Sequence, residues 1–254
     1  MLSCPWLIET MEDIKIIKVD ETSSTNDLMR EYSGEEGLVM TVGIAAFQSA
    51  GRGQGESKWE SERGRNLTFS IKVYPVGVPV VRQYVMLEAE SLAIRDAVAG
   101  YVDDVTIKWP NDIYWRDKKI SGTLSECTIS GSHVGSCILG TGININQRKF
   151  VGDAPNPVSL AQILGHDVDA DKVLDVLLSR FEIYLSMVNE GRYDEIASLY
   201  SASLYRRSGR YSYSDAGGDF MAELECIEPE GHLVLRRDDG SLSRYAFKEV
   251  KYVI

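Results

Sequence analysis

Runs of apolar and β-branched residues divide the first part of the chain into strands and helices. Strands are predicted at Ile14–Val19, Val39–Phe47, Asn66–Val73 and Val134–Asn146, where apolar residues follow one another or alternate with polar ones. Residues 1–13 show neither pattern and are predicted to be irregular.

Helices are predicted where apolar residues recur at helical spacing. One such helix lies within Arg82–Tyr101. Ser159 and Asp169 are placed to cap two more, and the longer of these carries an apolar stripe through Val173–Val188. A last helix contains Ile196. The apolar faces of these helices are expected to pack into the core, so no chemistry is assigned to them.

After about residue 206 the pattern changes to short alternating runs separated by turns. Each turn contains Gly together with Asp or Pro; the turns are Asp215–Gly218, Pro229–Gly231 and Asp238–Gly240. Five strands forming a small β barrel are therefore predicted for a domain at 207–254, which follows a larger domain at 1–206. The predicted fold class is α+β.

Charge and cysteine usage restrict the function and location of the protein. A net charge of −11 opposes binding to a phosphate backbone, which requires clustered Lys and Arg, so no DNA binding is expected. No apolar run approaches the ~20 residues of a membrane span. The cysteines form no CxxC pair and have no metal-ligand spacing, which indicates reduced thiols in a cytoplasmic protein. They are Cys4, Cys127, Cys137 and Cys226.

The first candidate for ligand chemistry is Thr106–Trp115. Its β-branched start predicts a strand that ends or bulges at Pro110, since proline has no N–H for a sheet ladder. Lys108, at the end of this strand, is a compact cation suited to an anionic ligand. A lysine that snorkels at a sheet edge is the alternative. A second strand, Ile120–Ile129, follows the turn Arg116–Lys118, so the two strands are predicted to form a hairpin.

The second candidate is the glycine-rich segment Gln48–Trp59. Alternating glycines allow backbone N–H groups to turn inward and form an anion-binding nest, and Arg52 and Lys58 add positive charge. The segment is neither a Walker A loop, because Gly-Lys-Ser/Thr is absent, nor a Rossmann motif, because a strand follows it. A glycine-rich hairpin loop without a ligand is the alternative.

Two further segments place small residues where a ligand can approach. Ser24 with Asp27 resembles a capping box at the start of a short helix, and a helix N-terminus can also meet a ligand. Gly140 and Gly142 lie within a predicted strand, where glycine often marks the close approach of a ligand or of another backbone. Tight strand packing is the alternative for this pair.

Together these segments resemble the biotin–protein ligases over nearly the whole chain. The similar motifs are Lys-Trp-Pro-Asn-Asp-Ile with Lys-Lys-Ile-Ser-Gly-Thr-Leu-Ser-Glu, Gln-x-Ala-Gly-Arg-Gly with a downstream Trp, Gly-x-Gly-Ile-Asn and Ser-Thr-Asn. The resemblance implies a mixed-sheet catalytic domain of the biotin/lipoate ligase type, similar to class II aminoacyl-tRNA synthetases, and an SH3-like C-terminal barrel. About twenty residues precede Ser-Thr-Asn, too few for the helix-turn-helix domain of some members, so no repressor function is expected.

The resemblance also implies an activity. A ligase of this family activates biotin with ATP to biotinyl-5'-AMP, releases pyrophosphate, and transfers biotin to a lysine of a biotin carboxyl carrier protein or domain, which forms a C–N bond. ATP and biotin are then substrates, Mg²⁺ is required, and the chain is a monomer or a homodimer. The alternatives are a lipoate–protein ligase and a catalytically degenerate module that binds biotin or nucleotide.

Finally, the resemblance assigns roles to individual residues. Lys108 and Arg52 are the implied catalytic residues. The implied biotin site consists of Ser24, Thr25, Asn26, Gln48, Lys108, Gly122, Leu124, Gly140 and Gly142. The implied nucleotide site consists of Gly51, Arg52, Gly53, Gln54, Trp59, Lys108, Asn111 and Asn144. Asp112 is the candidate Mg²⁺ ligand, although Asn111 and Asp112 are equally placed to orient Lys108. Many members carry a basic residue where Gln54 stands here, followed by Gly55 and Glu56, so this loop is less cationic.

Overall fold

A computed structural model describes residues 7–11, 13–32, 38–55, 57–152 and 156–254. Within these residues the chain forms a mixed eight-stranded sheet, five α-helices and an antiparallel five-stranded sheet. The large sheet consists of β1 (Leu7–Met11), β2 (Ile14–Thr22), β3 (Met40–Gln48), β4 (Leu67–Val73), β5 (Val105–Lys108), β6 (Asp112–Trp115), β7 (Lys118–Ser130) and β8 (His133–Ile143). The helices are α1 (Thr25–Glu31), α2 (Val85–Ala99), α3 (Leu160–Leu164), α4 (Ala170–Asn189) and α5 (Tyr193–Ala202). The small sheet consists of β9 (Arg210–Asp215), β10 (Gly218–Ile227), β11 (Leu233–Arg237), β12 (Leu242–Tyr245) and β13 (Lys251–Tyr252).

The strand order of the large sheet brings its glycines together. The order is β1-β2-β3-β4-β8-β7-β6-β5, and only β2 and β3 pair in parallel among the described strands. β7 and β8 are antiparallel neighbours in which Gly122 lies opposite Gly142 and Leu124 lies opposite Gly140. The middle of the sheet therefore has a region without large side chains.

Helices cover both faces of the large sheet. α2 packs against β5–β8 and is itself covered by α4 and α5. The apolar stripe of α4, from Val173 to Val188, is buried as predicted. On the other face, Leu28 and Met29 of α1 form a small apolar cluster with residues of β2 and β8. In the described part of the chain, no helix combines the length and the apolar character needed to cross a membrane.

Most predicted elements are confirmed, with three corrections. Leu7–Met11 forms a strand paired with β2, although the region was predicted to be irregular. Asp112–Trp115 forms the strand β6, which pairs with both β5 and β7, so the predicted hairpin of two strands has three. Ser24 does precede α1, but its side chain makes no capping hydrogen bond, so the capping box is absent there. The capping box occurs instead at Ser159, with Gln162.

The five predicted C-terminal strands are confirmed, and they form an antiparallel sheet in the order β12-β11-β10-β9-β13. No ladder joins β12 to β13 in the described residues, so a closed barrel remains a prediction. The sheet contacts the rest of the chain near the Trp-Pro-Asn turn. There the indole Nε1 of Trp109 donates to the carbonyl of Gly231 at 2.9 Å, and the ring of Trp109 lies 6.1 Å from that of Phe247.

A buried carboxyl group links α2 to the glycine region of the sheet. Glu90 is fully buried, and its Oε1 accepts a hydrogen bond from Thr141 Oγ1 at 2.5 Å. Its other oxygen has no partner in the described residues. Burial raises the pKa of Glu90 to about 8, because the charged form loses its hydration. The side chain is therefore protonated at neutral pH.

Glu90→Gln is expected to flatten the pH dependence of stability. The protonated group contributes stability that is complete below the ordinary pKa near 4.5 and is lost as the pH rises through about 8. Between these values the free energy of unfolding of the wild type should fall by up to about 1.4 kcal/mol per pH unit more steeply than that of Glu90→Gln. Urea titrations at several pH values, with the exposed Glu182→Gln as control, measure this difference. Parallel curves for wild type and Glu90→Gln would show that Glu90 is not held neutral.

Candidate active site

One cavity contains most of the residues to which the resemblance assigns roles. It lies between the start of α1, the glycine-rich segment, the β6–β8 region and the loop before β13. Its lining consists of Ser24, Thr25, Asn26, Gln48, Arg52, Gly53, Gln54, Ser57, Lys58, Trp59, Asn111, Asp112, Lys119, Gly122, Thr123, Leu124, Gly140, Thr141, Gly142, Phe247 and Lys248. Four cations but only one carboxylate are present among these described residues, although the chain as a whole carries a charge of −11. The cavity therefore favours an anionic ligand.

Three glycines form the floor of the cavity because side chains lie where their β-carbons would be. A β-carbon on Gly140 would be 1.8 Å from Asn26 Oδ1, and one on Gly142 would be 2.1 Å from the Trp59 ring. At Gly122 it would be 2.9 Å from Lys119 Nζ. Close approach of side chains is the reason for glycine at these positions, whereas the sequence of Gly140 and Gly142 indicated close approach of a ligand or of another backbone, or tight strand packing.

Polar groups at the start of α1 are held by hydrogen bonds to neighbouring strands. The backbone N–H and the hydroxyl of Thr25 both donate to Gln48 Oε1, at 2.7 and 3.1 Å. Asn26 Oδ1 accepts from Ser70 Oγ at 2.6 Å, and Asn26 Nδ2 donates to the carbonyl of Leu124 at 3.3 Å. Thr25 and Asn26 are almost completely buried. These contacts fix one end of the cavity as a rigid polar surface.

The glycine-rich segment folds back on itself as a hairpin loop. Gly53 N–H donates to the carbonyl of Ser57 at 2.7 Å, and Trp59 N–H donates to the carbonyl of Gly51 at 3.1 Å. The loop brings the Trp59 ring over Gly142, where its indole N–H is buried without an acceptor among the described residues. Glu56 lies outside the described residues. A ligand with an acceptor or an aromatic ring at this position would complete the contacts of Trp59.

Arg52 lines the cavity, but its charge is largely compensated. Its guanidinium donates to Asp27 Oδ1 at 2.8 Å and lies 3.7 Å from Glu126 Oε1. Arg30 contacts the same two carboxylates. Two arginines and two acids thus form one cluster at the mouth of the cavity, in which Arg52 acts as a tether for the loop as well as a cation.

Lys119 and Asp112 form an ion pair inside the cavity. Lys119 Nζ lies 2.6 Å from Asp112 Oδ1, and both side chains are about three-quarters buried. Asn111 is next to them and donates from Nδ2 to the carbonyl of Thr123. Asp112 starts β6 and Lys119 lies near the start of β7, so paired strands determine the position of both groups.

The structure corrects the placement of Lys108, which does not reach this cavity. Its ammonium lies 5.2 Å from the centre of the Tyr114 ring and 4.8 Å from that of Tyr252 in the C-terminal sheet. Burial lowers the pKa of Lys108. The reason is the inserted strand β6: β5 is separated from β7 by one strand, and each strand adds about 4.8 Å. Lys119, ten residues after the Trp of the same motif, does line the cavity.

Two other predicted residues support the cavity from outside. Gly51 does not line it, but a β-carbon there would be 2.7 Å from the carbonyl of Trp59. Asn144 is buried, with its backbone N–H donating to the carbonyl of Ile120 at 2.9 Å. The other predicted residues lie in the lining: Ser24, Thr25, Asn26, Gln48, Arg52, Gly53, Gln54, Trp59, Asn111, Asp112, Gly122, Leu124, Gly140 and Gly142.

The sequence patterns did not indicate the contribution of the loop between β12 and β13. Phe247 and Lys248 line the cavity, and Lys248 Nζ donates to the carbonyl of Gln54 at 3.0 Å. The same ammonium would be 2.6 Å from a β-carbon on Gly55. No local pattern marks a residue that meets a loop almost two hundred positions earlier in the chain. Lys119, by contrast, stands in the Lys-Lys-Ile-Ser-Gly motif that carries part of the resemblance.

Comparison with known proteins identifies the family. Residues 19–144 match the model of the biotin/lipoate A/B protein ligase family. The chain is 30% identical over 240 residues to the bifunctional ligase/repressor BirA of Bacillus spizizenii, covering 91% of this chain and 72% of the relative. It is 28% identical to the biotin–[acetyl-CoA-carboxylase] ligase of Paracoccus denitrificans, covering 86% and 93%. The chain therefore belongs to the biotin/lipoate A/B protein ligase family.

A solved structure shows the same fold. The biotin protein ligase from Aquifex aeolicus in complex with biotin and ATP superposes with a TM-score of 0.76 at 24% identity, covering 94% of this chain and 99% of the other. The mixed α+β architecture with its large sheet is thus that of the biotin protein ligases.

Gly140→Ala tests the close packing of Asn26 on the floor. The added methyl group would force Asn26 to give up its bonds to Ser70 and Leu124, so the free energy of unfolding should fall by about 1–3 kcal/mol. Gly100→Ala is the matched control, because a β-carbon there comes no closer than 3.4 Å to the carbonyl of Ala97. Urea unfolding measures both variants. A Gly140→Ala variant as stable as the wild type would contradict the close contact between Asn26 and Gly140.

Proposed function

We propose that the protein is a biotin–protein ligase that activates biotin with ATP to biotinyl-5'-AMP, with release of pyrophosphate. The biotinyl group is then transferred to a lysine of a biotin carboxyl carrier protein or domain. The observation that carries this proposal is a cavity with four cations in an acidic chain, built from the motifs that resemble this family. The names of its relatives from Bacillus spizizenii and Paracoccus denitrificans support it.

The chemical task is to bring two anions together. The carboxylate of biotin attacks the α-phosphorus of ATP, a P–O bond forms, and pyrophosphate leaves. Fixed cations at the point where negative charge accumulates lower the barrier for such a step. Lys119, rather than Lys108, is placed for this role, because its ammonium is in the cavity. Asp112 holds that ammonium in position at 2.6 Å.

The polar end of the cavity suits the fused ring system of biotin. Biotin carries a cyclic urea, which has two N–H donors and one carbonyl acceptor, attached to an apolar chain. Thr25, Asn26 and Gln48 supply fixed polar groups, and Ser24 lies beside them. Leu124 is an apolar wall of the cavity, and Asn26 and Trp59, which pack on the glycine floor, border the space proposed for the ring and chain. Buried polar groups that match a ligand discriminate strongly against one that lacks partners for them.

The opposite end suits the nucleotide. The Trp59 ring offers a surface for stacking of adenine. Backbone groups of Gly53 and Gln54, with Arg52, border the region where the phosphates would lie, and Asn111 lines the same cavity. Gln54 is uncharged, and Lys248 from the loop between β12 and β13 brings a cation to that same residue. Outside the cavity, Gly51 packs against the backbone of the glycine-rich loop, and Asn144 is hydrogen-bonded to the strand β7 that contributes to the floor.

Mg²⁺ is proposed to enter with the phosphates of ATP. Asp112 is the only carboxylate among the described lining residues, and it is engaged by Lys119. Magnesium sites of this kind use one or two carboxylates together with substrate phosphates and waters. The residues present therefore fit a metal that is carried by the nucleotide. When bound, Mg²⁺ would neutralise negative charge on the pyrophosphate.

The same proposal includes the remaining organisation of the protein. Residues 1–206 form the catalytic domain, which is related to class II aminoacyl-tRNA synthetases. Residues 207–254 form an SH3-like barrel domain, which contributes Phe247 and Lys248 to the cavity. ATP and the carrier domain of a carboxylase are available in the cytoplasm, where we place the enzyme.

Pyrophosphate exchange into ATP is the direct test of the first half-reaction. We expect exchange that depends on biotin and Mg²⁺ and is absent with lipoate or without an acid, since an adenylate forms reversibly only when its carboxylic acid is bound. Labelled pyrophosphate incorporated into ATP is the readout. Exchange with lipoate alone would reassign the chain to lipoate activation. Folded protein that binds biotin without exchange would be a degenerate binding module.

Lys119→Met and Lys108→Met separate the two lysines. Lys119→Met should lower the rate of adenylate formation by at least about 10²-fold, because it removes a cation from the site of developing charge. Lys108→Met keeps the apolar stem between Tyr114 and Tyr252 and should leave most of the rate, with a loss of stability instead. Single-turnover adenylate formation and thermal unfolding are measured for both. The opposite ranking in folded proteins would restore the role first predicted for Lys108.

A further inference from the structure

Two cysteines face each other across the strands that form the cavity floor. Cys127 on β7 and Cys137 on β8 are directly opposite in the antiparallel register. Their sulfur atoms are 2.8 Å apart, and Ser125 Oγ is within 3.8 Å of both. A disulfide requires a separation of about 2.05 Å, so only a small further approach is needed. The backbone already holds the two thiols in position to react with each other.

The two thiols differ in accessibility and in charge. Cys137 is fully buried, whereas Cys127 is partly exposed. The hydrogen bond from the Cys137 thiol lowers the pKa of Cys127, and the same interaction, with burial and the nearby Glu90 of α2, raises the pKa of Cys137. Thiolates are the nucleophilic form of cysteine. Cys127 is thus the sulfur expected to attack an oxidant first, and Cys137 is the thiol that reacts with it afterwards.

We propose that Cys127 and Cys137 are an oxidant-responsive pair, which a hydroperoxide converts into a reversible disulfide between β7 and β8. The Cys127 thiolate attacks the peroxide, so an S–O bond forms, the O–O bond breaks, and the hydroxide released becomes water. Cys137 then attacks the Cys127 sulfenic acid, so the S–S bond forms and a second water leaves with the Cys137 proton. Two thiols lose two hydrogens and hydrogen peroxide becomes two waters. A dithiol reductant reverses the change by exchange.

This reactivity is separate from the proposed ligase activity. The pair lies on the face of β7 opposite to Leu124, because residues an odd number of positions apart in a strand point to opposite faces. Formation of the disulfide therefore leaves the cavity open. Cys226 is an exposed cysteine on β10 with no cysteine partner in the described residues, so it offers an internal comparison.

The test uses the full chain with Cys4→Ser and Cys226→Ser, so that only the pair remains. After treatment with hydrogen peroxide, trypsin leaves both cysteines on one peptide, Ile120–Arg148, because no Lys or Arg lies within it before its end. We expect this peptide to lose two hydrogens and to regain them with dithiothreitol. Dimedone, which captures sulfenic acids, should leave no adduct at the end of the reaction.

Single-cysteine variants assign the order of attack. With Cys137→Ser added, Cys127 should stop at the sulfenic acid and give a dimedone adduct. With Cys127→Ser added, the buried Cys137 should stay reduced under the same conditions. The wild type, with Cys226 present, should form the disulfide faster than Cys226 is oxidised. A stable dimedone adduct at Cys127 with Cys137 present, or a peptide that keeps both hydrogens while Cys226 is oxidised, would overturn the proposal.

Discussion

The close approach of Asn26 and Trp59 to the glycine floor is the constraint on which the site depends. Any side chain on Gly140 or Gly142 would occupy the space of those groups. Because β4, β8 and β7 are adjacent, the same strands also hold Ser70, which fixes Asn26, and Leu124, whose carbonyl accepts from it. Because these positions carry no side chain, α1 and the glycine-rich loop can pack closely on the sheet from two sides and enclose a cavity there.

Most of the fold follows from local patterns, because helices and strands bury faces that leave a periodic signal in the sequence. The apolar stripe of α4 and the strands β3, β4 and β8 were predictable for this reason. β6 was not, since its four residues are too few to show a period and they follow a proline turn. That short strand determines which lysine enters the cavity. The recognised motif identified the right segment, while only the strand order distinguishes Lys119 from Lys108.

Contacts between distant parts of the chain could not be read from the sequence. Lys248 meets Gln54, and Trp109 donates to Gly231, so the small sheet closes one side of the cavity and braces the motif that follows β5. Neither pair has a local signature, because each partner alone has the appearance of an ordinary turn or loop residue. The cation beside Gln54 thus comes from another part of the chain, at Lys248.

Charge compensation decides which cations are available to a ligand. Arg52 is shared between Asp27 and Glu126, so it offers less positive charge than its presence in the motif suggests. Lys119 has one carboxylate partner in the interior, whereas Lys248 donates to an uncharged carbonyl. An anion in the cavity would therefore meet less compensated positive charge at Lys248, where the loop between β12 and β13 reaches the glycine-rich segment, than at Lys119 beside the glycine floor.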